Sequence, residues 1–174
     1  MIWFFFFLYI PLFCVADSVT QIAAHDVSYD GKKVLLRGCV RLTSEFGAIS
    51  CDQAEIALEP HTKNLTFDTI FMKGNVLVTL KDESEVQSEN ADINCKTLEG
   101  LFHSESPQKV VYTTFLSGQK DKVPVKATSK ALKVTMHKIA NSQSSSYTIR
   151  DVQAIGAVIV EYQNNLPNNK EEAK

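Results

Sequence analysis

Residues 35–42, LLRGCVRL, recur as FMKGNVLV at 71–78, and this duplicated stretch decides the fold. Both copies read apolar, apolar, basic, Gly, any residue, Val, any residue, apolar. A second pair follows in the same order, ISCDQAEI at 49–56 and VQSENADI at 86–93, and QAIGAVIV at 153–160 supplies a third Gly-x-Val copy. Repetition of this kind indicates a small structural unit. One unit cannot bury its own apolar face, so the copies stack on one another.

Apolar and polar side chains alternate through the body of the chain, which is typical of strands that bury one face. In 34–42 and in 70–80 every even-numbered residue is apolar or glycine. A glycine inside a strand costs stability unless the backbone bends there, so the recurring glycine predicts a bend in each unit. The apolar set also changes from odd to even numbers at 52–53, and from even to odd at 89–90, which predicts a β-bulge or corner.

Later parts of the chain continue the strand pattern. We predict strands at 109–116, 123–128, 131–137, 147–152 and 154–162, with a polar loop at 141–146. After residue 17 there is no convincing helical apolar stripe. Strands that turn a corner in every unit build two strongly curved walls around an apolar interior, so the sequence predicts an all-β fold.

The N-terminus, MIWFFFFLYIPLFCVADS, has no charged side chain before Asp17. About 15 apolar residues are too few for a membrane-spanning helix, so we interpret 1–16 as a signal peptide that is cleaved after Ala16. A retained membrane anchor stays open, and a lipid anchor on Cys14 is weaker because bulky Phe13 precedes it. The Asn-, Lys- and Glu-rich segment 163–174 is predicted to be a disordered polar tail.

Net charge and cysteine content limit the partners and the disulfide bonds that can be expected. The net charge of −2, with acids and bases interspersed, gives no reason to expect nucleic acid as a partner. Cys39, Cys51 and Cys95 remain after cleavage, an odd number, so at least one thiol is unpaired. We interpret all three as free cysteines, although a bridge between Cys51 and Cys95 stays open.

The sequence contains no recognisable arrangement for catalysis or metal binding. G-x-S-x-G, H-E-x-x-H, Walker and dinucleotide-binding motifs are all missing, and the four histidines are far apart. The acid pairs at 52/55 and 89/92 recur at equivalent repeat positions, which favours a role in strand corners over acid–base chemistry. The basic residues at positions 32, 33, 37 and 41 could contact phosphate groups or form a solvated strand face. We therefore predict no enzyme, no cofactor and no metal.

Three segments carry a resemblance to a known family: KKVLLRGCVRL at 32–42, TIFMKGNVLVTL at 69–80 and VQAIGAVIVEY at 152–162. Together with 49–56 and 86–93, they resemble the OstA-like (LptA) family of periplasmic lipopolysaccharide-transport proteins, over about residues 22–162. The resemblance implies a twisted, open antiparallel β-jelly roll built from repeated two-strand units, here spanning 17–162, whose interior holds the acyl chains of lipid A. It also implies periplasmic localisation and end-to-end strand pairing with like proteins, between the inner and outer membranes.

The candidate lipid-binding residues are the inward-facing apolar side chains of the repeated strands. They are Val34, Leu36, Val40, Leu42, Ile56, Leu58, Val76, Val78, Ile93, Val158 and Val160. The same residues would also form a closed dry core, and alternation does not distinguish the two. Two further hypotheses stay open: a component of the same pathway anchored in the inner membrane, and a structural β module that assembles through its strand edges without lipid.

Overall fold

The computed structural model describes residues 19–44, 47–59, 67–105, 107, 109–116, 123–141 and 144–162. Every regular element in these ranges is a strand, which confirms the predicted all-β fold. The strands are β1 Val19–Ala23, β2 Asp26–Tyr29, β3 Lys33–Ser44, β4 Gly47–Leu58, β5 Phe67–Leu80, β6 Glu85–Asn94, β7 Glu99–His103, β8 Val110–Leu116, β9 Val123–Ser129, β10 Ala131–Asn141, β11 Ser144–Ile155 and β12 Ile159–Tyr162.

Two predicted segments lie outside the described ranges, the signal peptide at 1–16 and the polar tail at 163–174. The sequence also predicts hairpin turns at 59–64 and 117–122, and apart from Glu59 these lie outside the described ranges. Within the described part of the chain, no helix has the length and apolar character needed to cross a membrane.

Strands β3 and β5 bend sharply at the recurring glycine. The pairing of β3 with β4 skips residues 38–39, and the pairing of β5 with β6 skips residues 74–75. Each skipped pair begins with a glycine at positive φ, 74° at Gly38 and 77° at Gly74, where a side chain is disfavoured. The bend that the sequence predicts in each unit is therefore confirmed.

Strands β4 and β6 turn the same corner by changing the phase of their buried side chains. Cys51 and Ala54 are both buried in β4, and Ser88 and Ala91 are both buried in β6. The members of each pair are three positions apart, whereas a regular strand would bury every second residue. This confirms the phase change predicted at 52–53 and 89–90.

Because of these corners, the sheet has two arms. Arm A consists of β2, residues 33–37, 53–58, 67–73 and 90–94 of the bent strands, and β7, β10 and β11. Arm B consists of β1, residues 40–44, 47–51, 76–80 and 85–88 of the bent strands, and β8, β9 and β12. Apolar side chains of both arms form a single core cluster, so the interior lies between the arms.

We call each bent strand, or each pair of strands joined at a corner, a ribbon that runs through both arms. Neighbouring ribbons are antiparallel. The first, β1 with β2, is the N-terminal ribbon, and the last, β11 with β12, is the C-terminal ribbon; the corner of the latter contains Gly156 at φ 97°. Among the described residues each terminal ribbon pairs along one side only, so the sheet is open and not closed into a barrel. This architecture is consistent with the expected open β-jelly roll.

Some predicted boundaries are wrong. The polar loop expected at 141–146 is mostly strand, because β10 continues to Asn141 and β11 begins at Ser144. The break expected after residue 152 lies instead at 156–158, the corner of the C-terminal ribbon. Strand β7 was not predicted; its short sequence EGLFH has weak strand propensity and is held by pairing with β6 and β10.

Candidate functional site

The candidate site is the apolar interior between the two arms. Seven of the predicted residues are buried there, with exposed fractions between 0% and 8%: Leu36, Val40, Leu42, Ile56, Val76, Val78 and Ile93. Val34 and Leu58 are partly buried and pack against the same cluster. Nine predicted positions therefore converge on one interior, as alternation along the bent strands requires.

Val158 and Val160 are the exceptions, because they are 45% and 58% exposed. Neither residue is buried in the interior. Val158 lies in the corner before β12, and β12 is a terminal strand of arm B that pairs, among the described strands, with β9 alone. A side chain on such a terminal strand lacks the second neighbour that would cover it.

Several large interior residues were missed by the sequence argument, which followed only the repeated segments. They are Phe67, Phe102, Val110, Leu132 and Val134. Alternation within the predicted strand 131–137 was a sufficient signal for Leu132 and Val134. Phe102 gave no such signal, since Leu101 on the opposite face of its strand is also apolar.

A narrow crevice lies inside this interior. Its walls are Val78, Leu80 and Val86 from arm B and Ile93, Gly100, Phe102, Val134 and Met136 from arm A. All of these residues are apolar or glycine, and the crevice has a volume of about 20 Å³. That volume holds about one water molecule, so hydrocarbon can enter only if the arms separate or the side chains move.

The ring of Phe102 determines the local width of the crevice. A Cβ atom on Gly100 would lie 3.0 Å from Cε2 of Phe102, so the ring covers this glycine closely. Phe102 stands opposite Ala91 on one neighbouring strand and opposite Leu132 on the other. A glycine and an alanine beside the ring give it room, and the ring fills the space between the arms.

A side chain from the preceding ribbon lies over each corner glycine. His25 covers Gly38 and Asp52 covers Gly74, and both side chains lie where a Cβ on the glycine would have to be. The second corner is also tied by a hydrogen bond, because Asn75 Nδ2 donates to Asp52 Oδ2 at 2.9 Å. The acid at position 52 therefore has a structural role in the corner.

Three ribbons share a second corner contact, from a buried hydroxyl or thiol to the backbone two residues on. Cys51 Sγ donates to the carbonyl of Gln53 at 3.1 Å, and Ser88 Oγ donates to that of Asn90 at 2.9 Å. The Oγ of Ser129 donates to the carbonyl of Ala131 at 2.8 Å. Cys51 thus takes the place of a serine in an otherwise repeated corner.

None of the three described cysteines forms a disulfide bond, and they differ in exposure. Cys39 is exposed, Cys95 is partly buried and Cys51 is buried. Burial raises the pKa of the Cys51 thiol to about 11, and the charge of Asp52 adds to the effect. Cys51 is therefore a packed, protonated thiol and a poor nucleophile at neutral pH.

Replacing Cys51 by serine should change the free energy of unfolding by less than about 1 kcal/mol, because the hydroxyl can keep the hydrogen bond that Ser88 and Ser129 make. Cys51→Ala, which removes the donor, should cost about 1–3 kcal/mol. Urea unfolding midpoints of the two variants measure the difference. Equal losses in both would mean that sulfur packing, and not the hydrogen bond, holds this corner.

The described residues offer no obvious metal site, since no three His, Cys, Asp or Glu side chains among them are close enough to hold an ion. His61 lies outside the described ranges. The corner acids make local contacts: Glu89 Oε2 accepts a hydrogen bond from the backbone N–H of Glu105 at 2.9 Å. What the interior offers chemically is apolar surface.

Charged side chains of arm A pair on its outer surface. Lys33 contacts Glu55, and Lys133 Nζ lies 3.0 Å from Glu99 Oε1. Lys96 bridges Glu59 and Asp68, and these two carboxylates raise the pKa of its ammonium group. The basic residue at position 33 therefore lies on a solvated strand face next to an acid.

Neither a scan against protein-family models nor a search of curated proteins finds a match to this chain.

Proposed function

We propose that the protein is a non-enzymatic lipid carrier of the OstA-like kind. It is exported to the periplasm, shields the acyl chains of lipopolysaccharide between its arms, and passes them along a row of like domains. The observation that carries the proposal is that inward-facing apolar side chains remain uncovered at both terminal ribbons.

At the N-terminal ribbon the uncovered side chains are Val27 and Tyr29. Val27 stands opposite Leu36, and directly opposed residues share one face of a sheet. Leu36 is buried in the interior, whereas Val27 is 50% exposed on the same face. Tyr29 stands opposite Val34 and is also exposed. The inner face of arm A therefore continues as exposed apolar surface to the first strand.

At the C-terminal ribbon the same is true of arm B. Val160 stands opposite Ala127, and Ala127 stands opposite Tyr112. Tyr112 stands opposite Val86, which is buried in the interior. Val160 is thus on the inner face although it is exposed. The apolar interior reaches an open margin at each end of the fold.

Open margins suit both a lipid and a second domain. Each CH₂ group that leaves water contributes about 0.8 kcal/mol, so acyl chains bind without a specific polar contact. Unpaired edges on the terminal ribbons can pair with the edge strand of another domain. Such a neighbour, either a second copy or another OstA-like transport protein at the inner or outer membrane, would extend both arms and continue the interior.

The size of the crevice bears on the mechanism of loading. With room for about one water, the crevice admits acyl chains only when the two arms move apart or its side chains move. Such an opening would hinge at the corners at Gly38, Gly74 and Gly156, since each is a sharp bend between the arms. Loading would therefore separate the arms from their open sides and leave the corners intact.

Photo-crosslinking from single positions tests the proposal. A photoreactive residue at Leu36 or Val76, both on the inner face, should form adducts with labelled lipopolysaccharide. The matched control is Arg41, which is exposed on β3 between two interior positions. Labelling from Arg41 alone, with variants that remain folded by circular dichroism, would contradict a lipid-binding interior.

The narrow crevice favours one other candidate, a structural β module that assembles through its edges without lipid. Both candidates would form oligomers, so oligomeric state does not separate them. Uptake of a fluorescent acyl chain by delipidated protein does, because a purely structural module has no need to accept it.

A further inference from the structure

A cleft outside the interior interrupts the otherwise regular row of corners. Strand β6 pairs with β7 through residues 90–94 and with β8 through residues 85–87, so its two flanking strands are different. The pairing ends at Asn90 with His103 and resumes at Gln87 with Val111, a gap of seven positions on one side and two on the other. In the preceding unit the corner of β5 skips only residues 74–75. The gap in pairing between β7 and β8 is therefore wider than the gap at the corner of β5.

The result is a cleft of about 410 Å³, a volume within the range of small-molecule sites. It crosses three neighbouring ribbons near their corners and is lined by Asn75, Val76, Leu77, Gln87, Ser88, Ser104, Lys109 and Val111. This corner departs from the two-residue skips of β3 and β5, and such a departure is where function is expected.

The polar groups of the cleft favour a ligand that accepts hydrogen bonds. Ser104 Oγ already accepts from the backbone N–H of Glu89 at 2.9 Å, so its own hydroxyl proton is available to donate. Gln87 and Lys109 are exposed and contribute an amide and an ammonium group. Among the described lining residues there is one cation and no carboxylate, so the cleft favours an anionic group.

The cleft also has apolar lining residues, next to Asn75 and Ser88. Leu77 and Val111 stand opposite Gln87 on either side, on the outer face of arm B. Apolar surface next to amide and hydroxyl donors is suited to a ring that has C–H groups on its faces and hydroxyl groups on its edge. We propose that this cleft binds a small sugar phosphate, with Lys109 contacting the phosphate and Gln87 and Ser104 contacting the sugar.

Isothermal titration of the purified protein with glucose 1-phosphate, glucose and inorganic phosphate tests the proposal. Glucose 1-phosphate should bind more tightly than either part alone. Lys109→Ala should weaken its binding at least about 10-fold, and Gln87→Ala several-fold. The matched control is Lys126→Ala, an exposed lysine of β9 in the same arm but outside the cleft, which should leave binding unchanged.

The proposal is overturned if glucose 1-phosphate does not bind, if phosphate alone binds as tightly, or if Lys126→Ala weakens binding as much as Lys109→Ala. Its outcome is independent of the lipid proposal. Lys109→Ala leaves the interior unchanged, so crosslinking of lipopolysaccharide from Leu36 should be the same with and without this substitution.

Discussion

Gly47→Ala is expected to destabilise the fold by about 3 kcal/mol or more. Gly47 has φ 146°, a conformation that favours glycine. A Cβ atom there would overlap the carbonyl oxygen of Thr79 and lie 3.0 Å from Cα of Leu80. Both of these are backbone atoms of the paired strand β5, so no side-chain rotation relieves the clash, and the end of the β4–β5 ladder has to open.

Gly31→Ala is the matched control. Gly31 also has positive φ, 93°, but a Cβ atom there would have nothing within 4 Å. It should therefore cost only the backbone strain, about 1 kcal/mol. Urea unfolding midpoints compare the two variants. Similar losses at both positions would show that the conformational preference of glycine, and not contact with β5, accounts for the effect.

The bent strands could be predicted from the sequence because each bend is accompanied by a recognisable pattern in the residues next to it. A mid-strand glycine and a change of buried phase both lie within a few residues of the corner that they predict. Leu36 and Val76 follow from alternation in the same way. These are properties of one strand, and neighbouring strands do not alter which face a side chain is on.

Burial of the terminal residues could not be predicted in this way. Alternation places Val160 on the inner face, and the register agrees, but exposure depends on whether another strand lies beyond β12. Similarly, Leu101 and Phe102 are both apolar and point to opposite faces, so only the pairing of β7 decides that Phe102 is inside. The cleft depends on β7 and β8 pairing with the same strand, which no local pattern indicates.

Phe102→Ala is expected to have the other large effect, because it removes the ring that fills the crevice. Phe102 is buried, and truncation of a buried phenylalanine costs about 3–5 kcal/mol. The lost ring also enlarges the apolar crevice from about 20 Å³ without adding a polar group. If the interior accepts acyl chains, the variant should take up a fluorescent acyl chain more readily than the unsubstituted protein, since less separation of the arms is needed.

Phe71→Ala provides the control for Phe102→Ala. Phe71 lies on arm A but is 44% exposed on the outer face, so its loss should cost about 1 kcal/mol or less and leave acyl uptake unchanged. Both variants are compared in buffer in which circular dichroism shows them folded, so that instability does not obscure binding. A Phe102→Ala protein that loses stability yet takes up no more hydrocarbon would identify the interior as a dry core, and would favour the structural module over the lipid carrier.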